Sequence, residues 1–534
     1  MNYHSYPYPS RRMVAFGHRG MVSTSQSLAA QAGLEILKRG GNAIDAAIAT
    51  AICLTIVQPT SNGIGSDAFA LVWTQGKLHG LNASGKSPLK LTPEEMARKS
   101  YSEMPERGLA SVTVPGAPGA WRAMSERFGK LPFRELFEPA IRYAREGFVV
   151  SATVSELWKD AGVSTFAPFR ENPEFDEWFK VFTKDGCAPR AGEIWFLPDH
   201  ADTLQEIAET GAESFYHGSL ADRMDCSMRE MGGWLRKEDL DQFEVEWVNP
   251  ISVNYHGYEV CEIPPNGQGI IALMALNILD GLNVASTEDP MSWHQSIEAI
   301  KLAVVDAHQH VTDSNYMKVS VEELLSPAFA ARRRQSIGNK AIFPVAENPK
   351  DGGTVYLCTA DAEGNMVSFI QSNFKGFGSG IVIPGTGISL QNRGCGFSLN
   401  QGHVNFLAGG KKTFHTIIPG FLMKDGQPVG PFGVMGGAMQ PQGHVQVMVN
   451  LIDRNMNPQS ALDMPRWMWK KGKEVIVEHG VPYHIVTALQ EMGHKISYSV
   501  QRAPFGRGDM ILRTEFGTLA GATEPRADGC VATW

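Results

Sequence analysis

Two glycines followed by a threonine, Gly352-Gly353-Thr354, open an unusual chemistry to this chain. The triplet lies between a polar stretch containing proline and glycine (347–353) and the alternating run Thr354-Val355-Tyr356-Leu357-Cys358-Thr359, which reads as a strand. Such a triplet is also what any loop entering a sheet can look like. If the Gly353–Thr354 bond is cut, Thr354 gains a free amine beside its own hydroxyl, and nucleophile and general base become one residue.

That chemistry needs companions. Asp361-Ala362-Glu363-Gly364-Asn365 reads as the turn between strands 354–360 and 366–372. A hairpin centred on Glu363 places Ser372 opposite Thr354, each nine residues from the centre. Facing residues of an antiparallel pair bring their Cβ atoms within about 5 Å. A slip of one residue would turn Ser372 to the other face, leaving only a serine at a strand end. Donors for a tetrahedral oxyanion are found in Phe432-Gly433-Val434-Met435-Gly436-Gly437-Ala438, where consecutive glycines let backbone N–H groups approach a ligand closely. A plain turn is the alternative for Gly436 and Gly437.

The elements that must carry these residues are legible. Residues 25–57 read as two helices: Leu28, Ala32, Leu34, Ile36 and Leu37 form an apolar face, Gly40-Gly41 end the first helix, and Asn42 caps the second. Ala68-Phe69-Ala70-Leu71-Val72-Trp73 reads as a buried strand that turns at Gly76-Lys77 into a second, Leu78 to Asn82. Helical periods dominate from Pro88 to about Leu240, including Phe133 to Glu146 and Ala201 to Thr210. Gly257 to Ile263 reads as a strand, Ile270 to Leu279 and about Trp293 to Val311 as helices, and Val445 to Ile452 as a further helix. After residue 353 the texture changes to short strands with glycine-rich turns. Strand hairpins in both halves, flanked by long helices, predict α+β layers with helices outside packed sheets.

Composition narrows the function. A chain of 534 residues, 43% hydrophobic and 19% charged, can bury large cores. A net charge of −8 leaves no basic surplus for phosphates, so no nucleic-acid partner is expected. The start, MNYHSYPYPSRRM, has no apolar segment of the signal type. The longest apolar stretch, Ala43 to Val57, contains Asp45 and is too short to cross a bilayer, so no membrane is expected either. Seven cysteines (Cys53, Cys187, Cys226, Cys261, Cys358, Cys395 and Cys530) are scattered without CxxC pairing and read as reduced thiols of a cytoplasmic protein. His308-Gln309-His310 with Asp313 is not read as a metal site, because residues two apart on a helix point about 200° around its axis. No metal or cofactor is expected. Met464-Pro465-Arg466-Trp467-Met468-Trp469 reads as core packing.

Together these residues resemble the gamma-glutamyltranspeptidase family of N-terminal-nucleophile hydrolases. The resemblance is carried by GLEILKRGGNAIDAAIAT (33–50), SNGIGSDAF (61–69), SVTVPGAPGAW (111–121), IPPNGQGI (263–270), DGGTVYLCTADAEGN (351–365), FGSGIVIPGTGISLQN (377–392) and GVMGGAMQPQG (433–443). It implies a proenzyme that cuts itself between Gly353 and Thr354 and a four-layer αββα sandwich. The large fragment (1–353) and the small one (354–534) would form one layered domain and stay associated as a heterodimer, which could dimerise further. It also implies that Thr354 is the nucleophile and, through its amine, the base, that Ser372 assists it eighteen positions on, and that Gly436 and Gly437 form the oxyanion hole.

The substrate positions depart from the family pattern. The family's carboxylate-binding arginine corresponds to Ser84, in Asn82-Ala83-Ser84-Gly85-Lys86-Ser87-Pro88; its amine-binding aspartate corresponds to Gly396, and its paired serines to His415 and Thr416. Each lost charge-assisted contact is typically worth ~1.5–3 kcal/mol, which argues against gamma-glutamyl recognition. Arg393 takes the glutamine position of that motif, where its guanidinium could pair with a shorter acid or form a structural salt bridge. The pattern resembles the branch that includes oxamate amidohydrolase of purine breakdown. Expected substrate-binding residues are therefore Arg393, His415, Thr416, Ser84 and Asn82. The expected activity is hydrolysis of a small carboxylate-bearing amide such as oxamate. A gamma-glutamyl hydrolase or transferase, a cephalosporin-type acylase, or an unprocessed binding protein are the alternatives.

Overall fold

In the computed structural model, which describes residues 12–344 and 353–534, two seven-stranded antiparallel sheets lie face to face. The first runs in the order Cys530–Thr533, Gly20–Thr24, Gly353–Asp361, Met366–Phe374, Asp67–Thr74, Lys77–Ala83 and Glu246–Val248. The second runs Ala15–Gly17, Leu519–Thr523, Arg507–Arg513, Gln427–Met435, Gly420–Lys424, Tyr258–Glu262 and Ile251–Tyr255. Both sheets draw strands from either side of Gly353–Thr354, so the two stretches of chain share one core.

Period-two alternation sorts the side chains between layers. Tyr356, Cys358 and Ala360 face the second sheet, where they meet Phe421, Met435 and Ile511. Val355 and Leu357 point the other way, into a core shared with helices Ser27–Lys38, Ala43–Val57, Ala117–Phe128 and Pro198–Thr210. Helices Gly269–Leu279, Pro290–His310 and Met439–Ile452 cover the outer face of the second sheet. The layers are thus helix, sheet, sheet, helix, as the resemblance implied. Strands buried on both faces read as continuous apolar runs, which is why Asp67–Thr74 is buried throughout.

The helix beneath the hairpin is fixed at its start by reciprocal capping. Asn42 Oδ1 accepts from the N–H groups of Ile44 and Asp45, and Asp45 Oδ2 accepts from that of Asn42. Asp361 then accepts the Ala43 N–H at 2.8 Å, and Thr359 Oγ1 donates to the Ala43 carbonyl at 2.6 Å. The far end of the hairpin is locked to a fully buried helix.

Differences from the sequence expectation are local. Phe133–Phe137 is a 3-10 turn that leads into the α-helix Glu138–Glu146. The compositional boundary at 340–353 falls partly on 345–352, outside the described residues. His308 and His310 belong to helix Pro290–His310, and Trp467, Met468 and Trp469 are buried in a three-stranded sheet. Among the described residues, no helix is long and apolar enough to cross a membrane.

Candidate active site

The hairpin register is the expected one from Val355↔Gln371 to Ala360↔Met366. Asp361 shapes its turn, accepting the N–H groups of Glu363 and Asn365 at 2.9 and 3.0 Å. At the open end the register shifts, and Gly353 pairs with Phe374, so Thr354 faces a bulge made by Ser372 and Asn373 of the partner strand. Phe374 has φ +74, a left-handed conformation that bulky residues rarely adopt.

The bulge brings two hydroxyls onto one carbonyl. Thr354 Oγ1 lies 2.7 Å from the Gly353 carbonyl oxygen, and Ser372 Oγ lies 2.7 Å from the same atom. The two hydroxyls are 3.2 Å apart. Ser372 also accepts the Phe374 N–H at 2.7 Å, which leaves its own proton for the Gly353 oxygen. Gln440 Nε2 donates to Thr354 Oγ1 at 3.3 Å, while Gln440 Oε1 accepts the Ile418 N–H at 3.0 Å. A carbonyl polarised by one hydroxyl and touched by another can undergo N-to-O acyl transfer.

Gly436 and Gly437 close strand Gln427–Met435 ahead of helix Met439–Ile452. Their φ values are +135 and +56, which favour glycine. Their carbonyls are engaged, Gly436 by the Met439 N–H and Gly437 by Gln268 Nε2 at 2.9 Å. Neither glycine N–H donates to another group among the described residues. Gly436 lines the same cleft as Gly353 and Thr354, which has room for about 340 Å³. Free N–H groups at the start of a helix suit a developing negative charge.

Arg393, Thr416, His415 and Asp67 form a buried polar cluster. Arg393 is 1% exposed; its Nη1 donates to Thr416 Oγ1 at 2.6 Å, and its guanidinium carbon stands 4.4 Å from the centre of the Phe374 ring. Its Nε and Nη2 have no partner among the described residues. Burial draws the Arg393 pKa down to about 10, with Asp67 acting against that shift. His415 Nε2 donates to Asp67 Oδ2 at 3.0 Å. Burial, then the charges of Arg393 and Lys412, hold the His415 pKa well below its ordinary value, so the ring is neutral. Burial raises the Asp67 pKa to about 7, offset in part by Arg393.

Ser84 and Asn82, expected by position to bind substrate, are bonded within the protein. Ser84 Oγ donates to Asn82 Oδ1 at 2.7 Å, and Asn82 Nδ2 donates to Asn266 Oδ1 at 3.0 Å. Asn266 in turn donates to the Thr413 carbonyl and accepts the His415 N–H through its own carbonyl. These bonds hold the backbone at Thr413 and His415.

Asp67, Gln440, Asn266 and Gln268 were not found from the sequence. Asp67 had a signal, since it is an acidic residue opening an otherwise apolar strand, and that strand pairs it directly with Ser372. Among the described residues one group has metal-ligand geometry, His294, Glu298 and His494. Lys301 Nζ already sits 2.6 Å from Glu298 Oε1 and 3.5 Å from His494 Nδ1, so an ammonium holds that position. With His294 on the Gly338 carbonyl and Glu298 on the Ile342 N–H, the cluster anchors the chain ahead of residue 345.

The chain is similar in sequence and shape to known proteins. The family profile described as gamma-glutamyltranspeptidase matches residues 29–534. The glutathione hydrolase-like YwrD proenzyme of Bacillus subtilis is 36% identical over 525 residues, covering 96% of this chain and 98% of the relative. The oxamate amidohydrolase proenzyme of Klebsiella pneumoniae is 33% identical over 526 residues, with the same coverage of 96% and 98%. The crystal structure of cephalosporin acylase from Bacillus halodurans superposes with a TM-score of 0.96 at 55% identity, covering 100% of this chain and 99% of that one.

Proposed function

Since the chain belongs to the gamma-glutamyltranspeptidase family, we propose that it cuts its own Gly353–Thr354 bond and then hydrolyses a small carboxylate-bearing amide, oxamate being the substrate that fits best. The observation that carries the reading is the convergence of Thr354 Oγ1 and Ser372 Oγ on the Gly353 carbonyl oxygen.

In the uncut chain, Thr354 Oγ attacks the Gly353 carbonyl carbon while Ser372 polarises the oxygen. The peptide becomes an ester, and the Thr354 nitrogen leaves as a free amine. Water then hydrolyses the ester, giving a carboxyl group at Gly353 and a new N-terminus at Thr354. In the processed enzyme that amine takes the hydroxyl proton as Oγ attacks the substrate amide. The N–H groups of Gly436 and Gly437 hold the oxyanion. The leaving amine departs with a proton, and water cleaves the acyl-enzyme. With oxamate the products are oxalate and ammonia. Nε and Nη2 of Arg393, which have no partner among the described residues, would receive the acid's carboxylate. The two fragments stay together because both sheets contain strands of each.

The test compares ammonia release from oxamate and glutamine with glutamate release from glutathione. Oxamate should exceed both by at least about tenfold in kcat/KM, the loss expected when the family's arginine and aspartate are missing. A preference for glutamine or glutathione would instead establish the gamma-glutamyl reading.

Asp67 adds a pH dependence with a defined sign. Below about pH 7 it holds a proton, and above that it places a negative charge beside Arg393. Binding of a carboxylate substrate should therefore weaken as pH rises through 7, with KM increasing by up to about tenfold, the equivalent of one pKa unit. Asp67→Asn should flatten that rise. An equal rise in the variant, measured by steady-state kinetics from pH 6 to 9, would remove Asp67 from the account.

A further inference from the structure

An ester on Thr354 Oγ must be broken once in self-cleavage and again in every turnover. Each time an electron pair flows onto Oγ, an atom that an oxyanion hole, aimed at the carbonyl oxygen, does not serve. The hydroxyls of Thr354 and Ser372 both spend their protons on the Gly353 carbonyl. Among the described residues, the group that donates a hydrogen bond to Thr354 Oγ1 is Gln440 Nε2, at 3.3 Å.

The direction of that amide is fixed by its surroundings. Gln440 is fully buried and is the second residue of helix Met439–Ile452. A carboxamide has one accepting and one donating end, and its neighbours decide which points where. The Ile418 N–H can only donate, and it lies 3.0 Å from Oε1, so it claims the oxygen. Nε2 is left facing the nucleophile. The backbone is held as firmly: the Gln440 N–H donates to the Gly437 carbonyl at 3.2 Å, and Gln268 Nε2 donates to the same oxygen at 2.9 Å. The amide therefore shares its footing with the oxyanion glycines.

We propose that Gln440 is a catalytic residue of ester hydrolysis, holding the electron pair that Thr354 Oγ receives as the acyl group leaves. The inference rests on the reading of Thr354 as a self-cleaving nucleophile and adds a residue to the second half of that reaction. Water adds to the ester carbonyl carbon and passes a proton to the Thr354 amine. The carbon–Oγ bond then breaks, its electron pair goes to Oγ, and the amine returns the proton to that oxygen. The products are a carboxyl group and the restored threonine hydroxyl. A donor beside Oγ is worth most while that oxygen carries charge. Attack by Oγ gains little from it, because the same donor draws electrons away from the nucleophile. Gln440 thus favours breaking the ester over making it.

Two variants test this. Gln440→Met removes both contacts of the amide, whereas Gln440→Glu keeps an acceptor for the Ile418 N–H and removes the donor. In each, ester hydrolysis should slow by ~10–100-fold, the worth of one charge-assisted hydrogen bond, with ester formation changed by less than about threefold. Gels should show uncut chain that splits when hydroxylamine, which attacks esters and spares peptide bonds, is added. Rapid-quench mass spectrometry with oxamate should show an acyl-enzyme that does not build up in the parent. In Gln440→Glu the introduced carboxyl group becomes a donor once protonated, so hydrolysis should recover toward the parent rate as pH is lowered. Ester formation and hydrolysis slowed equally, or neither slowed, overturns the role. So does a Gln440→Glu protein that matches the parent at every pH while Gln440→Met is impaired, since only the Ile418 contact would then matter. A parent protein that never cuts itself removes the reading of Thr354 and this role with it. Slowed ester hydrolysis in self-cleavage, with no turnover of oxamate by the parent, supports Gln440 and overturns the substrate alone.

Discussion

Thr354→Ala should yield a single intact chain of 58.4 kDa that neither cuts itself nor turns over any amide. Both losses follow from one atom. In the uncut chain only the Thr354 hydroxyl among its neighbours combines contact with the Gly353 carbonyl and the position to gain an amine. Ser372 reaches the same oxygen, yet it lies inside strand Met366–Phe374, where its own nitrogen remains a peptide N–H. It cannot replace a nucleophile that also serves as base. Removing a nucleophile typically costs ~10³–10⁶ in kcat, so activity should fall below detection. Thr354→Ser separates the alternatives, because it keeps hydroxyl and amine and should still be processed. Denaturing gels and N-terminal sequencing read the first effect, and product assays the second. Turnover by an uncut Thr354→Ala protein would exclude Thr354 as nucleophile.

How much of this site could be seen in the sequence depended on the separation between partners. The Thr354–Ser372 contact was legible because a short turn fixes register: with Asp361 shaping it, hairpin arithmetic needs only the centre. The cap at Asn42 and the α+β layering were legible for a similar reason, since local patterns of apolar spacing and glycine punctuation carry them, whereas the four-layer order was implied by the family resemblance. The bulge opposite Thr354 was not legible. It arises where Phe374 takes a positive φ and stacks on Arg393, a tertiary arrangement that overrides the regular ladder. Asp67 escaped because its meaning comes from a strand pairing across several hundred residues, which sets it beside Ser372 and under His415. Ser84 and Asn82 show what position in a motif leaves out: their polar atoms bond to each other and to Asn266, contacts that no local pattern announces. Similar reasoning explains why His415 serves Asp67 instead of standing free.

Arg393 carries the second large effect. Arg393→Met keeps an unbranched stem and removes the guanidinium and its charge, and it should reduce kcat/KM for oxamate by ~10²–10³, equivalent to ~3–4 kcal/mol for a bidentate pair. The loss should fall mainly on KM. The substrate carboxylate is present in both ground and transition states, so its contact is uniform binding rather than transition-state binding. Two internal controls separate this role from a structural one. Self-cleavage engages the Gly353 carbonyl and no free carboxylate, so the variant should still be cut before Thr354. An amide of similar size that lacks the acid, such as pyruvamide, should lose far less, because Arg393 offers it no charged partner. The fold should tolerate the change, since the counter-charge left behind at Asp67 can take up a proton: burial already raises its pKa to about 7. Thr416 loses its donor at the same time, and the modest cost of that single contact should appear in thermal stability rather than in processing. An unchanged KM for oxamate in a folded, processed Arg393→Met protein would show that the guanidinium serves the Phe374 ring and Thr416 alone. The acid would then have to be recognised by other residues of the cleft that Thr354 lines.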